Sequence, residues 1–518
     1  MTETRSLVGH VTSITGGLVR FRGGGSLSLG SIVMIDGPGS LVIGSVEMIT
    51  SAMPDSDMTD VPINGEIELY GEFKGDDPVF RQGVSSYPMV GAPVVLATDE
   101  DLRKTYAPPI LPGVPIGSLA TRPEVPANVL VNRLLGKHFG IMGSTGTGKS
   151  CALSDMINKI LDEHPQGHVI VTDPYGEYRT AFGDRALVLD GETLRLPYWM
   201  LTFNEISEII INPDSGDIAA QVNVLREAVL EARREGAGDA ISGYLTADTP
   251  IPYRLSSLRK IIERQMGKLE KADTSTRPYM KLLWAMDGIL ADRRYTFMFS
   301  NFLVKDTLAE LVAQILRVPA DDKPIIVLDL SAIPVEAVDV VVSVLGRFVL
   351  EFSLWNTEDE TVPVLLVVED AHRFAPKTDE RTFNATKQLL LRLAREGRKY
   401  GVALGLISQR PSELAPDLMS QCGTLFAFRM SNEADLQVVR DALPQSSVGI
   451  QRALSALANR EAVAVGDGVI VPSVVRFEDL PPEKQPRSGA VPFAAAWRET
   501  RGSVATVEKI VAKWRFQQ

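Results

Sequence analysis

The sequence predicts an α/β protein: a phosphate-binding core on a buried, mostly parallel sheet, preceded by a small β-barrel and interrupted by a helical insertion. Three observations carry this expectation. Residues 143–150 read Gly-Ser-Thr-Gly-Thr-Gly-Lys-Ser, the G-x-x-x-x-G-K-[ST] pattern, between the apolar run His138–Met142 and a helix-spaced stretch from Ala152 to Leu161. Short apolar runs recur at Val169–Asp173, Pro324–Leu330, Val364–Val368, Val402–Gln409 and Thr424–Phe428, as strands covered on both faces require. Residues 5–107 instead hold short strand-like runs separated by Gly and Asp-Gly turns, the pattern of a small barrel.

Within the barrel segment the runs are Leu7–Ile14, Leu18–Phe21, Ser31–Ile35, Leu41–Val46, Ile67–Phe73 and Pro93–Ala97. Such a barrel either binds nucleic acid or packs subunits. No aromatic stacking row runs along it, which favours assembly. Residues 108–136 contain Pro108, Pro109, Pro112, Pro115, Pro123 and Pro126 and read as a linker. From about 204 to 300 the pattern is helical: Val222, Leu225, Ala228, Val229 and Ala232 share one face, and Leu255, Leu258, Ile261, Ile262 and Leu269 share another. The basic residues between them read as the solvated side of an insert. A long helix is expected from about Val335 to Trp355, and the Pro-rich tail carries Phe493, Trp497 and Trp514, points that could strap onto a neighbour. The expected organisation is a barrel at 1–107, core at 108–203, helical insertion at 204–320, core again at 321–480, and a C-terminal extension at 481–518 packing on a neighbouring subunit.

The 518 residues suffice for two to four domains, and 45% apolar with 23% charged residues is ordinary for a soluble globular chain. No stretch reaches the apolar length of a membrane span, and the opening residues form no signal peptide, so a cytoplasmic protein is expected. The only cysteines, Cys151 and Cys422, make neither a disulfide framework nor a metal cluster. Pro165 and Gly167 separate His164 from His168, and no zinc is expected. A net charge of −12 argues against a broadly basic nucleic-acid-binding surface but leaves room for a local feature such as a ring pore.

The glycine loop names a ligand. Its backbone N–H groups, followed by a helix N-terminus, wrap phosphate oxygens; Lys149 reaches the β- and γ-phosphates and Ser150 holds Mg²⁺. ATP and Mg²⁺ are therefore expected at Gly143, Ser144, Thr145, Gly146, Thr147, Gly148, Lys149, Ser150 and Cys151. Hydrolysis also needs carboxylates beside the γ-phosphate. Val364–Val368 ends in Glu369-Asp370, a Walker B strand in which one acid, Glu369, faces Mg²⁺ directly or through water and the other polarises the nucleophile. Gln409 ends the next strand, where an amide contacts both γ-phosphate and lytic water. Residues 392–399 read Arg-Leu-Ala-Arg-Glu-Gly-Arg-Lys. Two readings stand: cations complementing a helix C-terminus, or an arginine finger reaching a neighbour's nucleotide, Arg398 first and Arg395 second. Arg373, Lys377, Arg381 and Lys387 form either a charged surface loop or a pore-facing set that contacts DNA phosphates.

These motifs together resemble the HerA family of the HerA/FtsK ATPases. The resemblance rests on Lys137 to Ser150, Asp173-Pro174-Tyr175-Gly176-Glu177-Tyr178, Glu369-Asp370-Ala371-His372, Glu396-Gly397-Arg398-Lys399-Tyr400-Gly401 and Ser408-Gln409-Arg410-Pro411-Ser412-Glu413-Leu414, with Tyr87-Pro88-Met89-Val90-Gly91 similar to the segment that closes the family's barrel. It implies a RecA-like P-loop ATPase core with an N-terminal HAS-barrel-like domain, assembled as a homo-hexamer that moves double-stranded DNA through its pore. It also implies a partner: a NurA-like nuclease in DNA-end repair, or a nuclease or sirtuin-type NAD hydrolase in antiviral defence. By position it makes Gln409 the sensor and Arg398 the trans finger. The family usually places Glu second in the Walker B pair, where this chain has Asp370. Either Asp370 works through a shifted water, or Glu369 takes more of the role, or hydrolysis is slow. Slow hydrolysis would suit a second reading, an ATP-binding scaffold that activates a defence effector with little translocation.

Overall fold

The computed structural model describes residues 5–516 except 25–26, 52–62, 76, 109–112, 238–243, 268–275, 301–303, 357–360, 379–383, 444–450, 452, 488–492 and 499–502. Strands β1 (Leu7–Thr15), β2 (Leu18–Gly23), β3 (Ile32–Gly37), β4 (Ser40–Ser51), β5 (Ile63–Lys74), β6 (Arg81–Gln82) and β7 (Pro93–Leu96) form a 7-stranded sheet in the order β2-β1-β7-β3-β4-β5-β6. A further β2–β5 pairing closes it into a barrel with β6 appended, which removes the sheet's open edges. Val8, Val11, Val19, Phe21, Val33, Ile35, Val46, Ile67 and Val94 fill the interior. The other faces of β3, β4 and β5 turn Met34, Ile43, Tyr70 and Phe73 into the main core, so the barrel is packed onto that core. Helix α1 (Asp99–Thr105) leads away behind a Thr98–Asp101 capping box, and Arg5 clamps Asp101 with a pair of hydrogen bonds of 3.0 and 2.7 Å.

Residues 113–136 are not a linker. They hold β8 (Gly113–Leu119), β9 (Arg122–Leu130) and α2 (Val131–Gly136). Three of the prolines that suggested an open segment sit where a sheet tolerates them: Pro123 and Pro126 lie in β9, the outermost strand, and Pro115 stands at a register shift in β8, while Pro109 and Pro112 lie outside the described residues.

The remaining strands are β10 (Phe139–Met142), β11 (His168–Asp173), β12 (Ala186–Leu189), β13 (Ile325–Asp329), β14 (Val364–Val368), β15 (Val402–Ser408), β16 (Thr424–Phe428), β17 (Glu461–Gly466) and β18 (Ser473–Phe477). They build an 11-stranded sheet, β12-β13-β11-β14-β15-β10-β16-β17-β18-β8-β9. From β12 to β16 every pairing is parallel; from β16 onward every pairing is antiparallel. The parallel strands β13, β14 and β16 are buried at every position, which explains why their sequences read as unbroken apolar runs. This is a RecA-like P-loop fold.

Helix α3 (Lys149–Glu163) follows the glycine loop. Helices α4 (Phe203–Ile210), α5 (Ile218–Ala237), α6 (Leu255–Gly267), α7 (Arg277–Ala291) and α8 (Leu308–Leu316) form the insertion between β12 and β13. Leu225, Ala228, Val229 and Ala232 of α5 are buried as their spacing requires, whereas Leu269 lies outside the described residues. Helix α9 (Val335–Trp355) anchors the insertion: Arg347 meets the Glu205 carboxylate of α4 at 3.0 Å, and Ser343 donates to the same group at 2.9 Å. Helices α10 (Ala371–Phe374), α11 (Ala385–Glu396), α12 (Pro416–Met419) and α13 (Glu433–Ala442) complete the numbered set. No helix of the described residues is long and apolar enough to cross a membrane.

Candidate nucleotide site

In sheet order the adjacent strands β11, β14, β15 and β10 end in Asp173, Glu369-Asp370, Gln409 and the glycine loop, so residues scattered from Gly143 to Gln409 in the sequence meet at one carboxyl edge. That edge is where open α/β sheets bind ligands. Three positive-φ glycines shape the loop: Gly143 (156°), Gly146 (77°) and Gly148 (109°). A Cβ on Gly143 would stand 2.6 Å from Phe428 Cβ, so the chain can approach β16 only as glycine. The loop is pinned from three sides by backbone bonds: Gly143 N to Ser408 O at 3.2 Å, Ser144 N to Arg429 O at 3.0 Å, and Arg460 N to Thr147 O at 2.8 Å.

Lys149 is 6% exposed and its ammonium donates to Ser144 O at 2.9 Å. Burial pulls its pKa down, while Glu369, Asp370 and Glu177 act to hold it up. The ammonium thus faces the acid cluster. Burial pushes the Glu369 carboxyl up to about 8; the hydroxyl of Tyr178, donating at 2.6 Å, opposes this and the Asp370 charge adds to it. Asp370 is held at both oxygens: Tyr175 OH donates to Oδ2 at 2.5 Å and Gln409 Nε2 to Oδ1 at 3.1 Å. Thr145 of the loop in turn donates its hydroxyl to Gln409 Oε1. Loop, Gln409 amide and Asp370 carboxylate are therefore one hydrogen-bonded chain.

Ser150 donates to Glu177 Oε2 at 3.3 Å, and burial, then the neighbouring Asp173, raises the Glu177 pKa. Asp173 accepts from the amides of Glu177 (3.0 Å) and Tyr178 (2.8 Å) and so folds the turn that delivers Tyr175, Glu177 and Tyr178 to the site. Glu177, Tyr175 and Tyr178 were quoted from sequence only as part of a family-like segment and were given no role in the site. Their signal was the Asp173–Tyr178 turn at a parallel strand end, but only tertiary placement shows which carboxylate meets Ser150 and which hydroxyls reach the Walker B pair.

The arginines do not join this site within the chain. Arg398 is exposed on the turn before β15 and lines a cleft with His164, Val364 and Val402, at the amino ends of the strands whose carboxyl ends carry the loop. Arg395 is exposed and pairs with Asp417 at 2.5 Å. Of the basic residues after Walker B, Lys377 is exposed, and Arg373 lies with its guanidinium carbon 5.8 Å from the centroid of the Tyr175 ring. Arg381 lies outside the described residues. Lys387 is buried, 7% exposed, on the inner face of α11 with Leu390 and Ala394, so the charged-loop reading fails for it and it presents no cation to DNA in this conformation.

The family described as "Helicase HerA, central domain" matches residues 114–349. The chain is 28% identical over 428 residues to the DNA double-strand break repair helicase HerA of Pyrococcus furiosus, covering 75% of this chain and 73% of that one. It is 26% identical over 465 residues to the probable DNA double-strand break repair helicase HerA of Methanocaldococcus jannaschii, covering 80% and 85%. Among solved structures it is similar to the plasmid coupling protein TrwB in complex with a non-hydrolysable GTP analogue, with TM-score 0.50, 14% identity, and coverage of 76% of this chain and 95% of that one. That last likeness speaks to the fold alone.

Proposed function

Because this chain belongs to the HerA family of the HerA/FtsK ATPases, we propose that it is the ATPase subunit of a hexameric ring that drives double-stranded DNA through its centre and works with a partner nuclease or effector in DNA-end repair or antiviral defence. The observation that carries this reading is the Thr145–Gln409–Asp370–Tyr175 chain across the mouth of a loop that also buries Lys149. A binding module needs the loop; only a hydrolase needs a carboxylate and an amide aimed at the position beyond the γ-phosphate.

The residues fit ATP and Mg²⁺. The glycines leave a cradle without side chains, α3 presents its N-terminus to it, and Lys149 supplies the buried cation. Ser150, Glu177 and Glu369 would hold Mg²⁺, which when bound neutralises charge on the β- and γ-phosphates. Asp370 lies nearer Gln409, so it orients the attacking water while Gln409 reports the γ-phosphate. Asp370 sits in left-handed backbone, φ 51° and ψ 45°, a conformation that aspartate tolerates better than longer side chains. The Tyr175 hydroxyl fixes its short side chain.

The cation for transition-state charge then comes from Arg398 of an adjacent subunit, because Arg398 lies at the opposite edge of its own sheet. The C-terminal extension supports assembly: Val504, Val507, Ile510 and Trp514 of the helix Val504–Phe516 are each at least 58% exposed, an apolar stripe for a second copy to cover. Mixing Arg398→Ala with Lys149→Ala protein tests the shared site. Each variant alone is inactive, and mixtures regain ATPase activity because an Arg398→Ala subunit that binds ATP receives the finger of a Lys149→Ala neighbour. Absence of recovery at every ratio removes the trans site, and ATP turnover that ignores DNA removes the translocase.

A further inference from the structure

Arg460 stands on the other flank of the glycine loop from the Walker B acids. Its amide bonds to Thr147 O at 2.8 Å, and a Cβ on Gly148 would come within 3.1 Å of its Cγ and 3.2 Å of its Cα. The backbone there is left-handed, φ 67°, which is costly for an arginine, and Phe477 N clamps Arg460 O at 2.9 Å. The guanidinium pairs with the carboxylate of Asp479, whose side chain is 72% exposed. An arginine is thus pressed against the end of the loop where α3 begins, with a solvent-exposed counter-ion.

We propose that Arg460 is a nucleotide-binding residue supplied by the same subunit, that it contacts the α-phosphate, and that Asp479 is the counter-ion it gives up on binding. This rests on the reading of residues 143–150 as the nucleotide site. The cradle amides of such a loop serve the α- and β-phosphates while the lysine serves β and γ. The Walker B pair lies beyond β15 on one side of β10, whereas Arg460 meets Thr147 and Gly148 from the β16–β17 side, where the loop passes into α3, so its cation is on the α side. A planar guanidinium meets phosphate oxygens with two parallel bonds, and an ion pair with an exposed partner is readily exchanged.

Fluorescence titration with mant-ADP and mant-AMP-PNP in Mg²⁺ buffer tests this without reference to turnover. Arg460→Ala weakens both nucleotides alike, by about tenfold, because both carry the α-phosphate. Asp479→Asn tightens both. A purely structural role predicts otherwise, since the Arg460 amide that braces Thr147 survives substitution of the side chain. Unchanged affinity in Arg460→Ala, or weakening of the triphosphate alone, overturns the assignment. Unchanged affinity in Asp479→Asn overturns the exchange, and this variant carries the test if Arg460→Ala does not fold. Failure of the unsubstituted protein to bind either probe, or binding that survives Lys149→Ala, would overturn both the underlying nucleotide-site reading and the assignment that rests on it.

Discussion

Glu369 carries a proton linkage in the site that falls across the neutral pH range. Burial lifts its carboxyl from the ordinary 4.5 to about 8, so the protein without nucleotide keeps a proton that the unfolded chain releases. The sign follows: this contribution to stability is complete below about pH 4.5 and is lost as pH rises through about 8. Thermal melts of the nucleotide-free protein should fall in Tm across that window, and Glu369→Gln should flatten the fall. Metal binding needs the carboxylate, so Mg·nucleotide binding near pH 7 should expel about one proton, read by calorimetry in buffers of different ionisation enthalpy. At this scale the sequence was readable wherever function sits at a strand end. Glu369, Asp370 and Gln409 each close an apolar run, and the chain must put such residues at the ligand edge. Arg460 was not readable: it reaches the loop from between α13 and β17, in no motif. Lys387 misled because its charge suggested surface, whereas its helical position turns it inward.

Among elements, the pairing of α4 with α9 decides whether the insertion is held on the core. The Glu205 side chain is 2% exposed and Arg347 17%. Removing one partner strands a buried charge, so Arg347→Ala should cost about 3–5 kcal/mol in urea unfolding. The double change Glu205→Gln with Arg347→Met should recover most of it. The long apolar run Val335–Trp355 and the runs that became β14 and β16 were legible to the residue, because elements buried on every side admit few polar interruptions. The hairpin of β8 and β9 was not legible, because an edge strand accepts the prolines that mark a loop. Which strand lies outermost is a property of the sheet, absent from any local window.

For the whole molecule, the exposed stripe of the helix Val504–Phe516 is the surface on which the proposed assembly rests. Val507→Asp with Ile510→Asp should shift sedimentation from the proposed ring to smaller species while leaving the far-ultraviolet circular dichroism unchanged. A larger consequence lies in the order β17-β18-β8-β9. The hairpin that follows the barrel finds its partner β18 only at the far end of the chain, and Gln82 likewise bonds to Val469, 387 positions away. Synthesis on the ribosome therefore delivers the barrel strands first and leaves one edge of β8 open until Ser473–Phe477 has emerged. A nascent chain of this design must be shielded during that wait, and its last strands, once made, are what lock its first half into place.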